Sequence, residues 1–277
     1  MTFPRAFVIG QPIAQSRSPI LHGHWLQTLG LAGSYERIEV APADLASFIA
    51  SLHSAGFVGG NVTVPHKTAV LALVDNLDDA ARAIGAVNTL WFEGERLWGG
   101  NTDSVGFLAA LDQEAPDWDA EARTATVIGA GGAARAIVHG LLQRGLDVRL
   151  ANRSHATADA LSQSFARLPA VHDLAAMPAL LNDTDLLVNT TALGMQGKPP
   201  LVLDLTGLKR GAVVCDIVYA PLETDLLRDA RARGHRAVGG LGMLMHQAVP
   251  GFARWFGHRP SVTPALRALL EADLRPR

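Results

Sequence analysis

A glycine-rich turn near the middle of the chain constrains its fold more than any other feature. Gly129-Ala130-Gly131-Gly132 follows the apolar run Ala125–Ile128 and precedes a helix-like stretch from Ala133 to Gln143. Glycines let the backbone turn tightly and approach a pyrophosphate, while the N–H groups and dipole of the next helix favour negative charge. The segment therefore predicts a strand, a phosphate-binding turn and a helix. A tight turn without any ligand is the alternative when the glycines are taken alone.

The next apolar run ends in residues that favour NADP over NAD. An NAD site carries an acidic residue about twenty positions after the turn. Here Asp147–Ala151 is followed instead by Asn152 and Arg153. A carboxylate would repel a 2′-phosphate, whereas a guanidinium can bind it through charge-assisted hydrogen bonds. We therefore expect NADP, although Arg153 taken alone also fits an exposed surface charge.

Composition excludes several classes of protein. The 277 residues are 48% hydrophobic and 18% charged, with a net charge of −2, which predicts two well-buried domains and neither a nucleic-acid nor a membrane partner. Cys215 stands among apolar residues and is predicted to be a buried strand residue. His22 and His24 are too close for one helical face, so no metal site is expected. The absence of a signal-peptide pattern makes a cytoplasmic location the default expectation.

Strands and helices alternate in the second half of the chain. The predicted strands are Ala125–Ile128, Val148–Ala151, Asp185–Thr190, Ala212–Ile217 and Arg236–Val238. Helices are predicted between them, for example at Ala156–Phe165 and Glu223–Arg233. This alternation implies right-handed crossovers and a Rossmann-like, doubly wound parallel sheet.

The first half alternates in the same way but has no glycine turn, so we expect it to bind the substrate. Its predicted strands are Ala6–Ile9, Tyr35–Val40, Phe57–Val62 and Val87–Phe92, and its predicted helices are Pro19–Leu29, Ala43–His53 and Lys67–Leu73. The expected fold is α/β with an N-terminal substrate domain over residues 1–102 and a cofactor domain over 103–241. A deep cleft is expected between them, with a connecting helix at Thr102–Leu111. The C-terminal helices within 242–277 are expected to return to the first domain.

Polar residues at strand ends mark candidate ligand sites. Ser16 and Ser18 stand beside a predicted helix start and suit a carboxylate, although Ser18 also fits an N-cap. Asn61 and Thr63 fall on one face of an alternating segment.

Lys67 and Asp103 form a candidate acid-base pair. Lys67 is predicted to open a helix, an electrostatically poor place for a cation, which a nearby acid would improve. Asp103, in Gly100-Asn101-Thr102-Asp103, either supplies that acid or caps the connecting helix. We expect the pair to meet across the cleft between the domains and to exchange a proton with a substrate hydroxyl.

The segments resemble the shikimate dehydrogenase family over nearly the whole chain, from Ile9 to about Gly257. Besides those above, the resemblance is carried by Gly10-Gln11-Pro12-Ile13, Asn61-Val62-Thr63-Val64-Pro65-His66-Lys67, Ala86-Val87-Asn88-Thr89, Asn152-Arg153-Ser154 and Gly242-Met243-Leu244 followed by Gln247. It implies reversible NADP-dependent reduction of 3-dehydroshikimate to shikimate in aromatic amino-acid biosynthesis, by a monomer or homodimer.

The resemblance also implies roles for individual residues. Lys67 and Asp103 would be the catalytic pair. Substrate would be bound by Ser16, Ser18, Asn61, Thr63, Asn88, Tyr219 and Gln247. NADP would be held by Gly129, Ala130, Gly131, Gly132, Ala133, Asn152, Arg153, Ser154, Thr190, Ala192 and Met243.

The chain departs from the family pattern at three places. Gln15 stands where the family usually has His, Ala192 stands where Pro is common, and no further basic residue follows Ser154 directly in the manner of many NADP-using members. Two other functions stay open: an NAD-dependent quinate or quinate/shikimate dehydrogenase, and a non-catalytic dinucleotide-binding regulator. The presence of both Lys67 and Asp103 favours an enzyme.

Overall fold

The chain divides into two compact units, each built on its own sheet, in a computed structural model that describes residues 3–275. The first unit comprises the described residues up to Asp103 together with Met245–Leu270. The second unit comprises Ser104–Leu244 and the described residues from Glu271 onward.

The first unit contains a mixed six-stranded sheet. Its strands are β1 (Arg5–Gly10), β2 (Ser34–Glu39), β3 (Phe57–Val62), β4 (Asn76–Leu77), β5 (Thr89–Glu93) and β6 (Arg96–Gly100). They lie in the order β2-β1-β3-β5-β6-β4. Strand β1 pairs in parallel with β2 and β3, whereas β5 runs antiparallel to β3 and β6. Because β1 is central, five of its six residues are buried, which matches its nearly continuous apolar run.

Short helices cover this sheet. They are α1 (Ser18–Thr28), α2 (Leu45–Ser51) and α3 (Asp79–Ile84), with 3-10 segments at Pro42–Asp44 and Ala69–Leu73. The core beneath them includes Phe7, Ile9, Leu52 and Leu90, all fully buried.

The second unit contains a parallel six-stranded sheet. Its strands are β7 (Thr124–Ile128), β8 (Asp147–Asn152), β9 (Ala170–Asp173), β10 (Leu186–Asn189), β11 (Val213–Asp216) and β12 (Arg236–Val238). They lie in the order β12-β11-β10-β7-β8-β9, and every neighbouring pair is parallel. In chain order this is the 3-2-1-4-5-6 arrangement of the Rossmann fold, whose strand order reverses between β7 and β10. The predicted α/β class and Rossmann-like sheet are confirmed.

Helix α4 (Asp103–Glu114) lies between β6 and β7 in the chain. The helices between the parallel strands of the second unit are α5 (Gly132–Gln143), α6 (His155–Ser162), α7 (Met177–Leu181) and α8 (Asp225–Ala232), with a 3-10 segment at Leu174–Ala176. The last two helices of the chain are α9 (Gly240–Phe256) and α10 (Pro264–Leu274). None of the helices within residues 3–275 combines the length and apolar character needed to cross a bilayer.

The prediction that Lys67 opens a helix is wrong. Lys67 lies in a turn, and only a 3-10 segment follows, from Ala69. The carbonyl of Lys67 accepts a hydrogen bond from the amide of Val87 at 2.7 Å. The amide of Leu71 donates to the carbonyl of Thr68 at 3.3 Å, a bond between residues three apart, so the segment that follows Lys67 is 3-10 and not α-helical.

Candidate active site

Strand register gathers buried polar residues at one end of the first sheet. Asn61 of β3 pairs with Thr89 of β5, and Thr89 pairs with Gly100 of β6. The segments next to these positions, Asn88 before β5 and Asn101–Asp103 after β6, therefore lie side by side.

Lys67 and Asp103 form a close ion pair within this cluster. Lys67 Nζ donates to Asp103 Oδ2 at 2.5 Å, and the two side chains are 14% and 6% exposed. The other carboxylate oxygen, Oδ1, accepts from Asn88 Nδ2 at 2.8 Å. Among the described residues, both oxygens are thus used by side chains, so Asp103 does not cap α4. Both residues belong to the first unit, so the pair forms within one unit and not between two domains as the sequence pattern suggests.

Asn88 holds the cluster together. Its Oδ1 accepts from the amide of Thr102 at 2.9 Å and from Thr89 Oγ1 at 2.8 Å. Its Nδ2 donates to Asp103, to Thr102 Oγ1 at 3.0 Å and to Gln247 Oε1 at 3.3 Å. Thr102 Oγ1 in turn donates to the carbonyl of Gln247 at 2.8 Å. An amide with every donor and acceptor engaged is held in one orientation, so Asn88 fixes the direction of the Asp103 carboxylate.

Asn101 sets the backbone that carries Asp103. Its Oδ1 accepts from the amide of Asp103 at 3.0 Å, and its Nδ2 donates to the carbonyl of Ala86 at 2.9 Å. The first residue of α4 is therefore held by hydrogen bonds at both its backbone and its side chain.

Asn61 is held at both ends of its amide. Its Oδ1 accepts from the Tyr35 hydroxyl at 2.6 Å, and its Nδ2 donates to the carbonyl of Asn88 at 3.0 Å. Nearby in the chain, Thr63 is half-buried, and its hydroxyl has no hydrogen-bond partner within residues 3–275. Thr63 therefore offers a hydroxyl that a ligand can use.

The two serines at the start of α1 do not cap that helix. Arg17 occupies the N-cap position without a side-chain cap hydrogen bond, and Ser18 is the first helical residue. Ser16 Oγ accepts from the amide of Ser18 at 3.3 Å. Gln15, which stands in place of the family histidine, donates to the carbonyl of Pro12 at 3.2 Å and orders the same loop.

The glycine turn of the second unit lies where the strand order reverses. Gly129 has φ +108°, and a Cβ there would stand 2.6 Å from Thr190 Oγ1. That hydroxyl donates to the carbonyl of Ile128 at 2.7 Å, which ties the end of β7 to the residue after β10. Glycine is therefore required at position 129 by both backbone and packing.

Gly131 faces open space at the N-terminus of α5. It occupies the N-cap position with φ −87°, and a Cβ there would meet no atom within 4 Å. A bare backbone beside the free amides of a 12-residue helix is what a pyrophosphate needs. The turn therefore fits a dinucleotide, with Ala130, Gly132 and Ala133 completing the backbone around it.

The end of β8 presents a free guanidinium. Arg153 is exposed and has no hydrogen-bond or ion-pair partner among residues 3–275. The residues around it are ordered: Asn152 Nδ2 donates to the carbonyl of Ser154 at 2.9 Å, and Ser154 Oγ caps α6 by accepting from the amide of Thr157 at 3.3 Å. Arg153 is thus available for an anionic ligand.

A buried carboxylate joins the loops after β10 and β11. Asp216 accepts from Asn189 Nδ2 at 3.0 Å and from Thr224 Oγ1 at 2.7 Å. Burial raises the pKa of Asp216, and these hydrogen bonds oppose that rise. Thr190 and Ala192 lie on the first of these loops and Tyr219 on the second, while Met243 lies on α9.

The predicted site residues fall into two sets. The first unit holds Ser16, Ser18, Asn61, Thr63, Lys67, Asn88, Asp103 and Gln247. The second unit holds Tyr219 and the predicted cofactor residues. Tyr219 is thus separated from the other predicted substrate residues by unit.

Four residues of the network escape sequence reasoning. Thr89, Asn101 and Thr102 stand inside motifs that the sequence singles out, so their polarity next to Asn88 and Asp103 was a usable signal. Tyr35 carries no such signal, because a tyrosine in an alternating strand is typical of a core position.

Within the described part of the chain there is neither an exposed cysteine nor a cluster of metal-ligating side chains that would form a second site. Cys215 is buried in β11 as predicted, and burial raises the pKa of its thiol. No group of three or more His, Cys, Asp or Glu side chains among residues 3–275 is arranged to hold a metal ion.

Replacement of Gly131 by alanine is expected to raise KM for NADP by about 10- to 100-fold, because the new methyl group would crowd the phosphates. The unfolding temperature should change little, since the position is open and the N-cap exchange costs about 1 kcal/mol or less. Steady-state kinetics and thermal unfolding measure the two effects. Gly129→Ala is the matched variant, and it should lower the unfolding temperature because its Cβ meets Thr190. An unchanged KM in folded Gly131→Ala would remove this turn from the cofactor site.

Comparison with protein families supports the resemblance seen in the motifs. Residues 8–90 match the shikimate dehydrogenase substrate binding domain, and residues 111–196 match the shikimate/quinate 5-dehydrogenase model. Residues 240–270 match the shikimate 5′-dehydrogenase C-terminal domain.

Individual proteins are similar over nearly the full length. Shikimate dehydrogenase (NADP⁺) of Methylocella silvestris is 59% identical, with 98% of this chain and 97% of the relative covered. The structure of shikimate 5-dehydrogenase from Thermus thermophilus in complex with NADP(H) and shikimate is 36% identical, with a TM-score of 0.87 and 97% and 99% coverage. Quinate dehydrogenase from Corynebacterium glutamicum in complex with NAD is 31% identical, with a TM-score of 0.90 and 98% and 99% coverage.

Proposed function

This chain belongs to the shikimate dehydrogenase family, and we propose that it catalyses the reversible NADP-dependent reduction of 3-dehydroshikimate to shikimate. The main structural support for this activity is the buried Lys67–Asp103 ion pair, which Asn88 holds inside a network of polar side chains. A buried ion pair of this kind is costly unless it is fully hydrogen-bonded, and it is typical of a functional site.

Lys67 and Asp103 manage the proton of the reaction. NADPH, when bound, supplies the hydride that reduces the ring carbonyl carbon. Lys67 donates a proton from Nζ to the carbonyl oxygen as negative charge develops there, and in the oxidising direction it accepts that proton back. Asp103 keeps Nζ in place and accepts a hydrogen bond from a neighbouring ring hydroxyl.

The remaining polar residues of the first unit bind the substrate. Ser16 and Ser18 donate their hydroxyls to the carboxylate, a role consistent with the absence of helix capping by either side chain. Asn61, Thr63 and Gln247 bind ring hydroxyls. Asn88 binds one by exchanging its 3.3 Å hydrogen bond to Gln247 Oε1 for the hydroxyl. The unpartnered hydroxyl of Thr63 supports this assignment for the part of the site that it lines.

The second unit holds the cofactor. The pyrophosphate binds at the glycine turn, and the 2′-phosphate binds at Asn152-Arg153-Ser154. Thr190, Ala192 and Met243 are assigned to the ribose and nicotinamide end.

Turnover measured in parallel with shikimate and quinate, each with NADP and NAD, tests the proposal. We expect the highest kcat/KM with shikimate and NADP. Preference for quinate and NAD would support the rival that the Corynebacterium structure represents, since that protein is a quinate dehydrogenase solved with NAD. Absence of turnover with all four combinations, in a folded protein that binds NADP, would instead support a regulator.

Replacement of Arg153 by alanine is expected to raise KM for NADP by about 10- to 100-fold, the effect of losing hydrogen bonds to a charged group. KM for NAD should change by less than about threefold, because NAD has no 2′-phosphate for the guanidinium to bind. Steady-state kinetics with both cofactors measure the contrast.

Arg210→Ala is the matched control for this experiment. Arg210 is also exposed, and it precedes β11. Its replacement should leave both KM values unchanged. Equal losses for NADP and NAD in Arg153→Ala would contradict the phosphate assignment.

We further propose that the enzyme is cytoplasmic and works as a monomer or homodimer. Sedimentation of the purified protein distinguishes the two oligomeric states.

A further inference from the structure

We infer that Tyr35 is a positioning residue for substrate binding: its hydroxyl anchors the Asn61 amide that binds a ring hydroxyl. The inference rests on the proposed function, because it presupposes that Asn61 binds a ring hydroxyl of the substrate. Tyr35 itself is not placed in contact with the substrate.

The anchoring starts from two hydrogen bonds at opposite ends of one amide. The Tyr35 hydroxyl donates to Asn61 Oδ1 at 2.6 Å, and Asn61 Nδ2 donates to the carbonyl of Asn88 at 3.0 Å. Asn61 is 6% exposed, so water cannot readily replace either partner. Loss of the tyrosine hydroxyl would leave Oδ1 without this donor in a buried place and would loosen the amide.

Aromatic packing keeps the tyrosine itself from moving. The ring of His22 stacks on Tyr35 with centroids 4.0 Å apart and planes at 16°, and Trp255 lies 5.8 Å from Tyr35 on a tilted plane. Phe252 stacks on His22, at 5.9 Å between centroids. Burial raises the pKa of Tyr35 well above its ordinary value, so the phenol is a neutral donor throughout the working pH range.

The anchored amide is connected to the catalytic pair through one residue. Asn88 accepts from Asn61 with its backbone carbonyl and donates to Asp103 with its side chain. A hydrogen-bonded path therefore runs from the aromatic cluster through Asn61 and Asn88 to the carboxylate that pairs with Lys67. This path distinguishes Tyr35 from a core aromatic residue that only fills space.

The substitution Tyr35→Phe removes one hydroxyl and keeps the stacked ring. We expect KM for shikimate to rise about 5- to 10-fold, in line with the loss of one buried hydrogen bond. KM for NADP should stay within about twofold, because the cofactor residues lie in the other unit. The readout is steady-state kinetics with each substrate varied in turn, and thermal unfolding verifies that the variant is folded.

A double-mutant cycle with Asn61→Ala tests whether Tyr35 acts through Asn61. Asn61→Ala alone should raise KM for shikimate at least as much as Tyr35→Phe does. Adding Tyr35→Phe to it should then change KM by less than about twofold, since the acceptor of the hydrogen bond that the hydroxyl donates is already gone.

Trp25→Phe is the control for a loss of packing alone. Trp25 packs edge-on against His22 and Phe252 in the same aromatic cluster, and its indole nitrogen donates to the carbonyl of Ser261, away from Asn61. It should lower the unfolding temperature without changing KM for shikimate.

Three results would overturn the inference: an unchanged KM in Tyr35→Phe, additive effects in the double variant, or an equal rise of KM in Trp25→Phe. Each leaves the proposed function standing as long as the wild-type enzyme oxidises shikimate. Failure of the wild-type enzyme to do so would reject the proposed function itself, independently of Tyr35.

Discussion

Replacement of Lys67 by alanine is expected to lower kcat for shikimate oxidation by about 10²–10⁴-fold, the range typical of losing a general acid-base group. KM for shikimate should change much less, because the residues that bind the carboxylate and hydroxyls remain in place. The physical reason is that, within residues 3–275, no other cationic side chain contacts Asp103, so no group takes over the proton at the reacting oxygen. Steady-state kinetics in both directions measure the effect.

Lys209→Ala is a matched control for this variant. Lys209 Nζ also contacts an aspartate at 2.5 Å, Asp185, but its side chain is 48% exposed against 14% for Lys67. Asp185 is only 13% exposed but keeps hydrogen bonds from the amides of Arg123 and Thr124 when Lys209 is lost, so Lys209→Ala should retain wild-type kcat. A turnover number in Lys67→Ala equal to that of the wild type would remove Lys67 from the chemistry.

Acid is expected to destabilise the first unit through His22. Burial lowers the pKa of His22 from 6.5 to about 3, and the nearby Asn61 side chain opposes this lowering only in part. Below pH 6.5 the unfolded chain binds a proton at His22 that the folded chain does not bind until about pH 3. The contribution of His22 to the free energy of unfolding is therefore fully present above pH 6.5. It is lost as pH decreases, by up to about 1.4 kcal/mol per pH unit.

His22→Phe isolates this contribution. Phenylalanine fits between the rings of Tyr35 and Phe252 but cannot be protonated. Between pH 7 and pH 5, the free energy of unfolding of the wild type should fall by about 2 kcal/mol more than that of the variant. Urea unfolding at the two pH values measures this difference, in which the contributions of all other titrating groups cancel. Parallel pH dependences of the two proteins would show that His22 is accessible to protons in the folded state.

Sequence patterns predict the central strands of the second sheet better than its edge strands. The strand before the glycine turn and the helix after it are found within one residue of their predicted bounds, because apolar periodicity and turn chemistry agree there. Strand β9 is not predicted, since four residues at a sheet edge, Ala170–Asp173, are all at least partly exposed and show no apolar run. Short edge strands are defined by pairing with a neighbour, and pairing is not visible in a single segment.

In the candidate site, too, the residues can be predicted from local motifs, whereas their contacts depend on distant parts of the chain. Asn88 and Asp103 are identifiable as candidates from their motifs, but their contact depends on the register that places Thr89 opposite Gly100. The turn at Lys67 likewise receives a hydrogen bond from Val87, twenty residues later in the chain. Such long-range bonds override local propensity, which is why Lys67 is misplaced by sequence reasoning alone.

The hydrogen-bond network around Asn88 orders the side chains of Lys67 and Asp103 before a ligand binds. Every donor and acceptor of that amide is engaged by protein groups, and Lys67 Nζ already rests on Asp103. The ammonium and carboxylate are therefore immobilised when the polypeptide folds, before any small molecule arrives. When a ring acid binds, the side chains of Lys67 and Asp103 therefore lose little rotational freedom. Its affinity depends chiefly on how well its hydroxyls match these two fixed groups.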